Sequence, residues 1–435
     1  MTPLVLDVFL EAVQTPVGQL MRHDDGSLAF RYVTDELPHP ISLSLPLRTA
    51  PYGDAETRGF FSNLLFENAQ RDQIMQRYGI DFSDIVGLLY HLGADCPGAI
   101  SCVPQGAGPA KQPGDLTTDY DVLDDAALHA LMTSLRNHQR VPDGTPDPSP
   151  VAGVQGKVAV TQLPDGRLTR PKPGLNVPTT HILKVPRRTE MRTVAHEHML
   201  MTIMTQVQNH PVAATEIIGT GNLQGLLITR FDRTITGTQI TRLHQEDFCQ
   251  ALGLGPSLKY QRGGTPDRAF SAKAVGALLE NTESPGRARQ AFLEITLANL
   301  MLGNTDNHAK NHALLYTGAH PILAPVYDVV PTVIDSTVIH QLSFDIGTAN
   351  MTDDITENDI TAFAQALGFP RIAPALRRRL SKLMQDIVAQ IDQHQGPERK
   401  RIGDAIAEQS KWIVAAMGAD ISVPERDLVV INRAQ

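Results

Sequence analysis

The chain has few cysteines and no long apolar run, and each shortage excludes a class of protein. Cys96, Cys102 and Cys249 are the three cysteines among 435 residues, and none stands in a C-x-x-C pair. This argues against a disulfide framework or a zinc knuckle and predicts a reducing, cytoplasmic location. No apolar run approaches the roughly 20 residues that cross a bilayer, and the first residues lack the basic stretch of a secretory signal. We therefore expect no membrane association.

An excess of positive charge is also missing. The net charge is -9, which argues against direct, sequence-independent binding to nucleic acid, because such binding depends on lysine and arginine neutralising phosphates. The hydrophobic content of 42% and the charged content of 20% are those of an ordinary globular protein. A chain of this length is expected to form two or three domains.

The hexapeptide D-N-H-A-K-N at residues 306–311 is the most informative motif that is present. An aspartate, four residues and an asparagine form the layout of a kinase catalytic loop, where the aspartate accepts the substrate hydroxyl proton and the asparagine binds magnesium. Asp328 follows 17 residues after Asn311 and offers a second acidic metal ligand. We predict Asp306 as the base and Asn311 and Asp328 as metal ligands. An Asx-rich turn is the alternative, and the apolar helical stripe that stops at Gly303 weakens it.

Three upstream segments fit a nucleotide-binding lobe. Lys184 lies in an apolar strand at 180–185, where a kinase carries its phosphate-binding lysine, and Glu197 on the next helix could pair with it. The loop V-A-G-V-Q-G-K at 151–157 precedes this strand, and its glycines allow the backbone to approach phosphates. The strand at 226–231 could be a kinase hinge, although a strand that ends in a turn is the simpler interpretation.

Composition and periodicity divide the chain into three regions. Residues 1–105 are predicted to form a β-rich subdomain, with strands at 4–10 and 41–47. Residues 106–240 are predicted to form the nucleotide-binding lobe, with helices near 124–137 and 193–208. Residues 241–435 are predicted to form a helical lobe with the catalytic loop, almost entirely helical from Gln245 onward apart from the segment 303–345. A β-rich lobe followed by a helical lobe is the order of parts in a kinase.

Taken together and in order, the motifs resemble the HipA toxins, serine/threonine kinases of bacterial type II toxin–antitoxin modules. The resemblance runs over nearly the whole chain and rests on I-S-L-S-L-P-L at 41–47, F-F-S-N-L-L at 60–65, G-A-I at 98–100, V-A-G-V-Q-G-K at 151–157, T-H-I-L-K at 180–184, R-F-D-R at 230–233, Q-E-D at 245–247, T-D-N-H-A-K-N at 305–311 and Y-D at 327–328.

The resemblance implies an α+β, two-lobed fold akin to phosphoinositide kinases, with a β-rich N-terminal region and an all-helical C-terminal lobe. It also implies ATP and Mg²⁺ as cofactors and a cytoplasmic location. The implied activity is phosphorylation of an aminoacyl-tRNA synthetase, which halts translation and causes growth arrest or persistence. The implied partners are a HipB-like helix-turn-helix antitoxin and, mainly through it, operator DNA. Besides Asp306, Asn311 and Asp328, the resemblance implies ATP-binding roles for Ala152, Gly153, Val154, Gln155, Lys157, Lys184, Thr229, Phe231, Asp232, His308 and Tyr327.

Two positions depart from the family pattern, and other functions stay open. The family commonly has an autophosphorylated serine directly before V-A-G-x-Q, whereas this chain has Pro150 there and Ser149 one residue earlier. Either Ser149 takes over the modification or that regulation is absent. Thr229 replaces an acidic residue that often precedes R-F-D-R. The alternatives are a pseudokinase that acts as an antitoxin-bound co-repressor and a small-molecule or lipid kinase.

Overall fold

The structure is a computed structural model that describes residues 3–11, 13–65, 69–142, 156–190, 192–393 and 400–433. The predicted phosphate-loop residues Ala152, Gly153, Val154 and Gln155, together with Ser149, lie outside these ranges. The chain forms two compact units. The first unit comprises residues 1–195, 214–256 and 313–321, and the second unit comprises residues 196–213, 257–312 and 322–435.

Helices and strands both occur along the described chain. The strands are β1 (Leu4–Leu10), β2 (Gly18–Arg22), β3 (Leu28–Tyr32), β4 (Ile100–Pro104), β5 (Gly114–Asp115), β6 (Tyr120–Val122), β7 (Lys157–Gln162), β8 (Leu168–Pro171), β9 (His181–Lys184), β10 (Thr215–Thr220), β11 (Leu223–Thr229), β12 (Arg233–Thr236), β13 (Gln239–Arg242), β14 (His244–Asp247), β15 (Ala313–Tyr316) and β16 (Ile322–Leu323). The helices are α1 (Asp54–Phe61), α2 (Ala69–Tyr78), α3 (Ile85–Leu92), α4 (Asp125–His138), α5 (Arg192–Val207), α6 (Phe248–Ala251), α7 (Ala272–Leu279), α8 (Pro285–Met301), α9 (Glu357–Ala366), α10 (Pro374–Val388) and α11 (Lys400–Ala416).

The first unit is built on antiparallel sheets. An N-terminal sheet has the strand order β3-β2-β1-β4 and packs against α1 and α3. Its core holds large apolar side chains, among them Phe30, Tyr52, Phe60 and Phe61. A second sheet has the order β10-β11-β9-β7-β8-β6 and packs against α4. The predicted strand at 4–10 and the predicted helix near 124–137 are confirmed as β1 and α4.

The segment 41–47 is a tight turn, so the prediction of a half-buried strand there is wrong. Residues Ser42 and Leu45 form an isolated antiparallel bridge around the turn. The alternation of apolar residues reflects the burial of Ile41 and Leu45 in the N-terminal core. The Ser42 side chain points to β14, and its hydroxyl donates a 2.5 Å hydrogen bond to the Glu246 carboxylate.

Glu246 is a buried carboxylate that joins three parts of the first unit. It accepts hydrogen bonds from the Ser42 hydroxyl, from the Leu43 backbone N–H at 3.0 Å and from the Tyr316 hydroxyl at 2.5 Å. Burial raises the pKa of Glu246 to about 7, and these hydrogen bonds only partly offset the effect. The turn at 41–47 is thus attached to β14 through the Glu246 carboxyl group, whose pKa lies near neutral pH.

We expect the Glu246→Gln variant to lose a pH dependence of stability that the wild type shows. Between the ordinary pKa of 4.5 and about 7, the folded state holds a proton that the unfolded state has released, so wild-type stability falls as pH rises. The fall amounts to about 3 kcal/mol over this interval. Chemical denaturation from pH 4 to pH 8 should give a flatter curve for Glu246→Gln, whereas the exposed Glu216→Gln control should follow the wild type. Parallel curves for Glu246→Gln and wild type would contradict the assignment.

The second unit is centred on helix α8. Pro285 occupies its first turn, where a missing N–H costs nothing, and most of its later residues are buried. Helices α7, α10 and α11 pack against it. The helix ends at Met301, and Gly303 follows with a φ of +75°. This left-handed residue terminates the helix as the sequence predicted, and it starts the polar segment that contains D-N-H-A-K-N.

Candidate active site

The segment 303–312 is held in place by hydrogen bonds within itself, to the end of α8 and to residues 332 and 343 of the second unit. The Asn304 amide donates to Asn299 Oδ1 at 2.8 Å, and Asn304 Oδ1 accepts from the Asp306 N–H at 3.1 Å. The Thr305 N–H donates to Thr332 Oγ1 at 2.7 Å, and the Thr305 carbonyl accepts from the Ser343 hydroxyl at 2.8 Å. The residue before Asp306 therefore has both its backbone N–H and its backbone carbonyl fixed by hydrogen bonds.

Asp306 and Asn311 are joined directly. The Asn311 Nδ2 donates a 2.8 Å hydrogen bond to the Asp306 carbonyl, which closes the loop between them. Because this bond uses the amide nitrogen, the amide oxygen of Asn311 is the atom that can ligate a cation. The Asp306 carboxylate is half-buried and accepts a 2.7 Å hydrogen bond from the Tyr260 hydroxyl at Oδ1. The spacing that predicted a catalytic loop thus corresponds to a closed, hydrogen-bonded loop.

His308 is a buried histidine of the same loop. Burial lowers the pKa of His308, while the nearby Asp306 and Asp328 carboxylates act in the opposite direction and Lys259 adds to the lowering. The His308 Nδ1 atom is buried and has no hydrogen-bond partner among the described residues. A neutral imidazole with an unsatisfied buried nitrogen is suited to a ligand that brings its own donor or acceptor.

Asp328 has an unusual backbone. Its φ of +59° is left-handed, and among the described residues it shares this property with just one other non-glycine residue, Gln139. Such conformations are tolerated best by Gly, Asn and Asp, and they often occur at functional sites. The neighbouring Tyr327 hydroxyl donates to the Lys310 carbonyl at 2.8 Å, which ties this turn to the D-N-H-A-K-N loop.

The first unit carries the predicted lysines on adjacent strands. Lys157 in β7 stands directly opposite Lys184 in β9. Directly opposed residues of an antiparallel pair project from the same face of the sheet, so both ammonium groups lie on one face. Lys184 is buried and Lys157 is half-buried. Gly156, the last residue before β7, accepts a 2.8 Å hydrogen bond from the Val185 N–H, so the predicted phosphate loop ends beside Lys184.

The segment 229–232 leaves β11 as predicted and then turns. Thr229 is exposed, and its hydroxyl lies 3.2 Å from His181 Nε2. Burial would raise the pKa of Asp232, but Arg230 and Arg233 lower it to about 2. Arg230 binds both carboxylate oxygens of Asp232, at 3.0 and 2.9 Å. Asp232 is therefore an ionised structural anchor of this turn, and its contact with a ribose stays a prediction, as does a nucleotide contact of the half-buried Phe231.

The Asp232 carboxylate also accepts a 3.2 Å hydrogen bond from Gln245 Nε2. Gln245 and Tyr260 both contact predicted site residues, and sequence reasoning did not assign a role to either. The Q-E-D tripeptide was part of the resemblance, whereas no spacing rule relates position 260 to position 306. The predicted partner of Lys184, Glu197, is buried and belongs to the second unit.

Comparison with known protein families decides the identity of the fold. The HipA-like C-terminal domain matches residues 149–395, and the HipA N-terminal domain matches residues 6–103. The chain belongs to the HipA family. Among its relatives, the candidate kinase Y4mE of Sinorhizobium fredii is 31% identical over 391 residues, which cover 88% of this chain and 90% of that protein. The serine/threonine-protein kinase toxin HipA of Shewanella oneidensis is 29% identical over 344 residues, or 76% of each chain.

A solved structure agrees with this family assignment. Shewanella oneidensis HipA, determined in a complex with HipB and its operator DNA, matches with a TM-score of 0.75 and 26% identity over 95% of this chain and 96% of that chain. This match confirms the predicted α+β kinase-like fold of the HipA-family chain. Membership in this family of kinase toxins implies the use of ATP.

The residues of the second unit fit a magnesium site completed by a nucleotide. Mg²⁺ prefers oxygen ligands and is commonly held by one or two carboxylates together with substrate phosphates and water. Asp328 offers a carboxylate and Asn311 an amide oxygen, while the buried His308 Nδ1 has no partner among the described residues. No group of three or more His, Cys, Asp and Glu side chains suited to a metal occurs in the described part of the chain.

None of the described helices has the length and apolarity to span a membrane.

Proposed function

We propose that this HipA-family chain is a serine/threonine kinase toxin that transfers the γ-phosphoryl group of ATP to a protein hydroxyl. The D-N-H-A-K-N loop, in which the Asn311 amide binds the Asp306 carbonyl and the Tyr260 hydroxyl binds the Asp306 carboxylate, is the observation that carries the proposal. A general base must be fixed near the hydroxyl that it deprotonates. The hydrogen bonds of Asn304, Asn311 and Tyr260 to its backbone and its carboxylate support this role for Asp306, because they fix its position.

Each remaining residue has a proposed part in the same reaction. Asn311 and Asp328 would hold Mg²⁺, which supplies charge neutralisation at the transferred phosphoryl group. Lys184 and Lys157 would bind the phosphates, since two cations on one face of a sheet favour an anion between them. We assign the remaining nucleotide contacts to the backbone of 152–155, to Thr229, Phe231 and Asp232, and to His308 and Tyr327. We also propose that the chain divides functionally at residues 105 and 240 into an N-terminal subdomain, a nucleotide-binding lobe and a helical lobe with the catalytic loop.

The relatives support the proposed partners, and the family resemblance supports the proposed target. Shewanella oneidensis HipA is a serine/threonine-protein kinase toxin and was solved with HipB and operator DNA. For this chain we propose an aminoacyl-tRNA synthetase as the substrate, in the cytoplasm, and a HipB-like antitoxin as the partner. The net charge of -9 supports an arrangement in which the antitoxin makes most contacts with operator DNA.

Incubation of the purified protein with γ-³²P-ATP, Mg²⁺ and a lysate of the native host should label a discrete acceptor band. Mass spectrometry of that band should identify a phosphorylated serine or threonine, in an aminoacyl-tRNA synthetase if the proposed target is right. Label found in lipids or small metabolites instead would favour the alternative kinase class. Complete lack of transfer, with operator binding in the presence of a HipB-like protein, would favour the co-repressor alternative.

The same reaction tests Ser149. We propose that Ser149 takes the place of the serine that the family commonly has before V-A-G-x-Q, because Pro150 has no hydroxyl to accept a phosphoryl group. Phosphopeptide mapping of the toxin itself should then find the label on Ser149, and a Ser149→Ala variant should lose it. A peptide that spans Ser149 and stays unmodified after prolonged incubation would show that this mode of regulation is absent.

A further inference from the structure

Tyr260 lies beside the proposed catalytic base and contacts its carboxylate. Its hydroxyl donates a 2.7 Å hydrogen bond to Asp306 Oδ1. A carboxylate has two oxygens, so this bond occupies one of them and leaves Oδ2 as the atom that faces other donors. A hydrogen bond to an ionised carboxylate is shorter and about twice as strong as a neutral one. The contact is therefore able to fix the rotation of the Asp306 side chain.

Tyr260 is itself fixed by the loop that it contacts. The Lys259 carbonyl accepts a 3.1 Å hydrogen bond from the Ala309 N–H inside the catalytic loop. The Tyr260 ring meets the His308 ring edge to face, with centroids 5.3 Å apart and an interplanar angle of 79°. The phenol is thus attached to the catalytic loop through its backbone and its ring as well as through its hydroxyl.

The residue that follows holds Tyr260 from the other side. The Gln261 side chain donates to Asp345 Oδ2 at 2.6 Å and accepts from the Asp345 N–H at 3.0 Å. The Gln261 N–H donates to the Ser343 carbonyl at 2.9 Å, and the hydroxyl of the same serine binds the Thr305 carbonyl at 2.8 Å. This set of bonds runs from Tyr260 back to the residue before Asp306, so both partners of the 2.7 Å contact share one rigid frame.

Two cations lie against the same ring. The Arg262 guanidinium carbon is 4.1 Å from the Tyr260 ring centroid, and the Lys259 ammonium nitrogen is 5.2 Å from it. Contacts between cations and an aromatic face are attractive, so they further restrict the ring.

We propose that Tyr260 is the positioning residue of the phosphoryl transfer, one that holds Asp306 Oδ1 so that Oδ2 meets the substrate hydroxyl. This inference rests on the proposed function, since it requires Asp306 to act as the base. The substrate O–H bond breaks and its proton passes to Asp306 Oδ2. The substrate oxygen forms a bond to the γ-phosphorus as the bond from that phosphorus to the ADP oxygen breaks. Tyr260 keeps its own proton throughout.

The Tyr260→Phe variant removes only the hydroxyl and tests the proposal. We expect the maximal rate of label transfer from γ-³²P-ATP to lysate protein to fall about 10- to 30-fold, as for loss of one hydrogen bond to a charged group. The ATP concentration that gives half of that rate should change less than about twofold, because a positioning defect acts on the transition state and not on uniform binding. The thermal unfolding midpoint should stay at the wild-type value.

Two further variants separate positioning from general damage. Tyr120→Phe removes a comparable hydroxyl, which donates a 2.5 Å hydrogen bond to the Pro178 carbonyl in the first unit, and should keep the wild-type transfer rate. Placing 4-aminophenylalanine at position 260 restores an N–H donor at the same reach and should recover most of the lost rate. A 4-aminophenylalanine protein that is as slow as Tyr260→Phe would overturn the proposal.

The outcomes also distinguish this inference from the proposed function. Combined with Asp306→Asn, the Tyr260→Phe change should have no additional effect, because the group that it positions is already disabled. If Asp306→Asn is inactive while Tyr260→Phe transfers label at the wild-type rate, the role of Tyr260 is rejected and the kinase assignment stands. If Asp306→Asn transfers label normally, both fail. If the half-saturating ATP concentration of Tyr260→Phe instead rises by the same factor as the predicted loss of rate, Tyr260 is a nucleotide contact and not a positioning residue.

Discussion

Asp306→Asn is expected to lower phosphoryl transfer by a factor of about 10³, within the range for loss of a general base. The substitution keeps the size of the side chain and leaves an amide oxygen that can accept the Tyr260 hydrogen bond, so the contact at 2.7 Å need not be lost. The backbone bonds of residue 306 to Asn304 and Asn311 are also unaffected. The variant should therefore fold like the wild type while its side chain can no longer take up a proton.

Two measurements on the Asp306→Asn protein check this expectation. Label transfer from γ-³²P-ATP should fall close to background, and induced expression in the native host should no longer arrest growth. Asp267→Asn is a matched control, because it makes the same chemical change at an exposed position of the second unit. Growth arrest of wild-type strength from the Asp306→Asn protein would reject the kinase mechanism.

Asp328→Asn is expected to lower transfer by about 100-fold or more, the scale of losing several kcal/mol of metal-mediated charge stabilisation. Residue 328 has a φ of +59°, and asparagine is among the few side chains that adopt such a backbone readily. The substitution thus removes the negative charge without forcing the chain to change conformation. Part of the loss should be recovered at raised Mg²⁺, since a weakened metal site fills at higher concentration.

Asp328→Ala provides the comparison for Asp328→Asn. Alanine lacks the charge as well, but it is also disfavoured at positive φ, so its unfolding midpoint should lie below that of the asparagine variant. Equal activity of wild type and Asp328→Asn at limiting Mg²⁺ would remove Asp328 from the metal site. Equal midpoints of the two variants would mean that the left-handed backbone is not under strain.

Local sequence patterns predicted the end of α8 and the polar loop after it, because local physics determines both. The apolar stripe of α8 and the glycine after it fix where the helix ends, and Gly303 adopts the left-handed conformation that this requires. The short D-N-H-A-K-N segment then closes on itself through the Asn311 side chain. The position of Lys184 in a strand was predicted for the same reason, because the apolar run around it is a local signal.

Patterns failed where a residue serves a distant partner. The alternation at 41–47 predicted a strand, but the Ser42 hydroxyl binds Glu246, 204 residues away, and the segment forms a turn. This contact leaves no periodic trace in the sequence. The same is true of Tyr260, whose bond to Asp306 spans 46 residues.

The anchoring of Thr305 has a consequence for the timing of synthesis. Its backbone is held by Thr332 and Ser343, which the ribosome adds after the catalytic loop itself. Helix α8, which leads into the loop, packs against α10 and α11, and these are made later still. A nascent chain released before residue 332 has Asp306 but none of these supports. The supports of the segment around Asp306 are therefore complete only late in translation, after most of the first unit has been made.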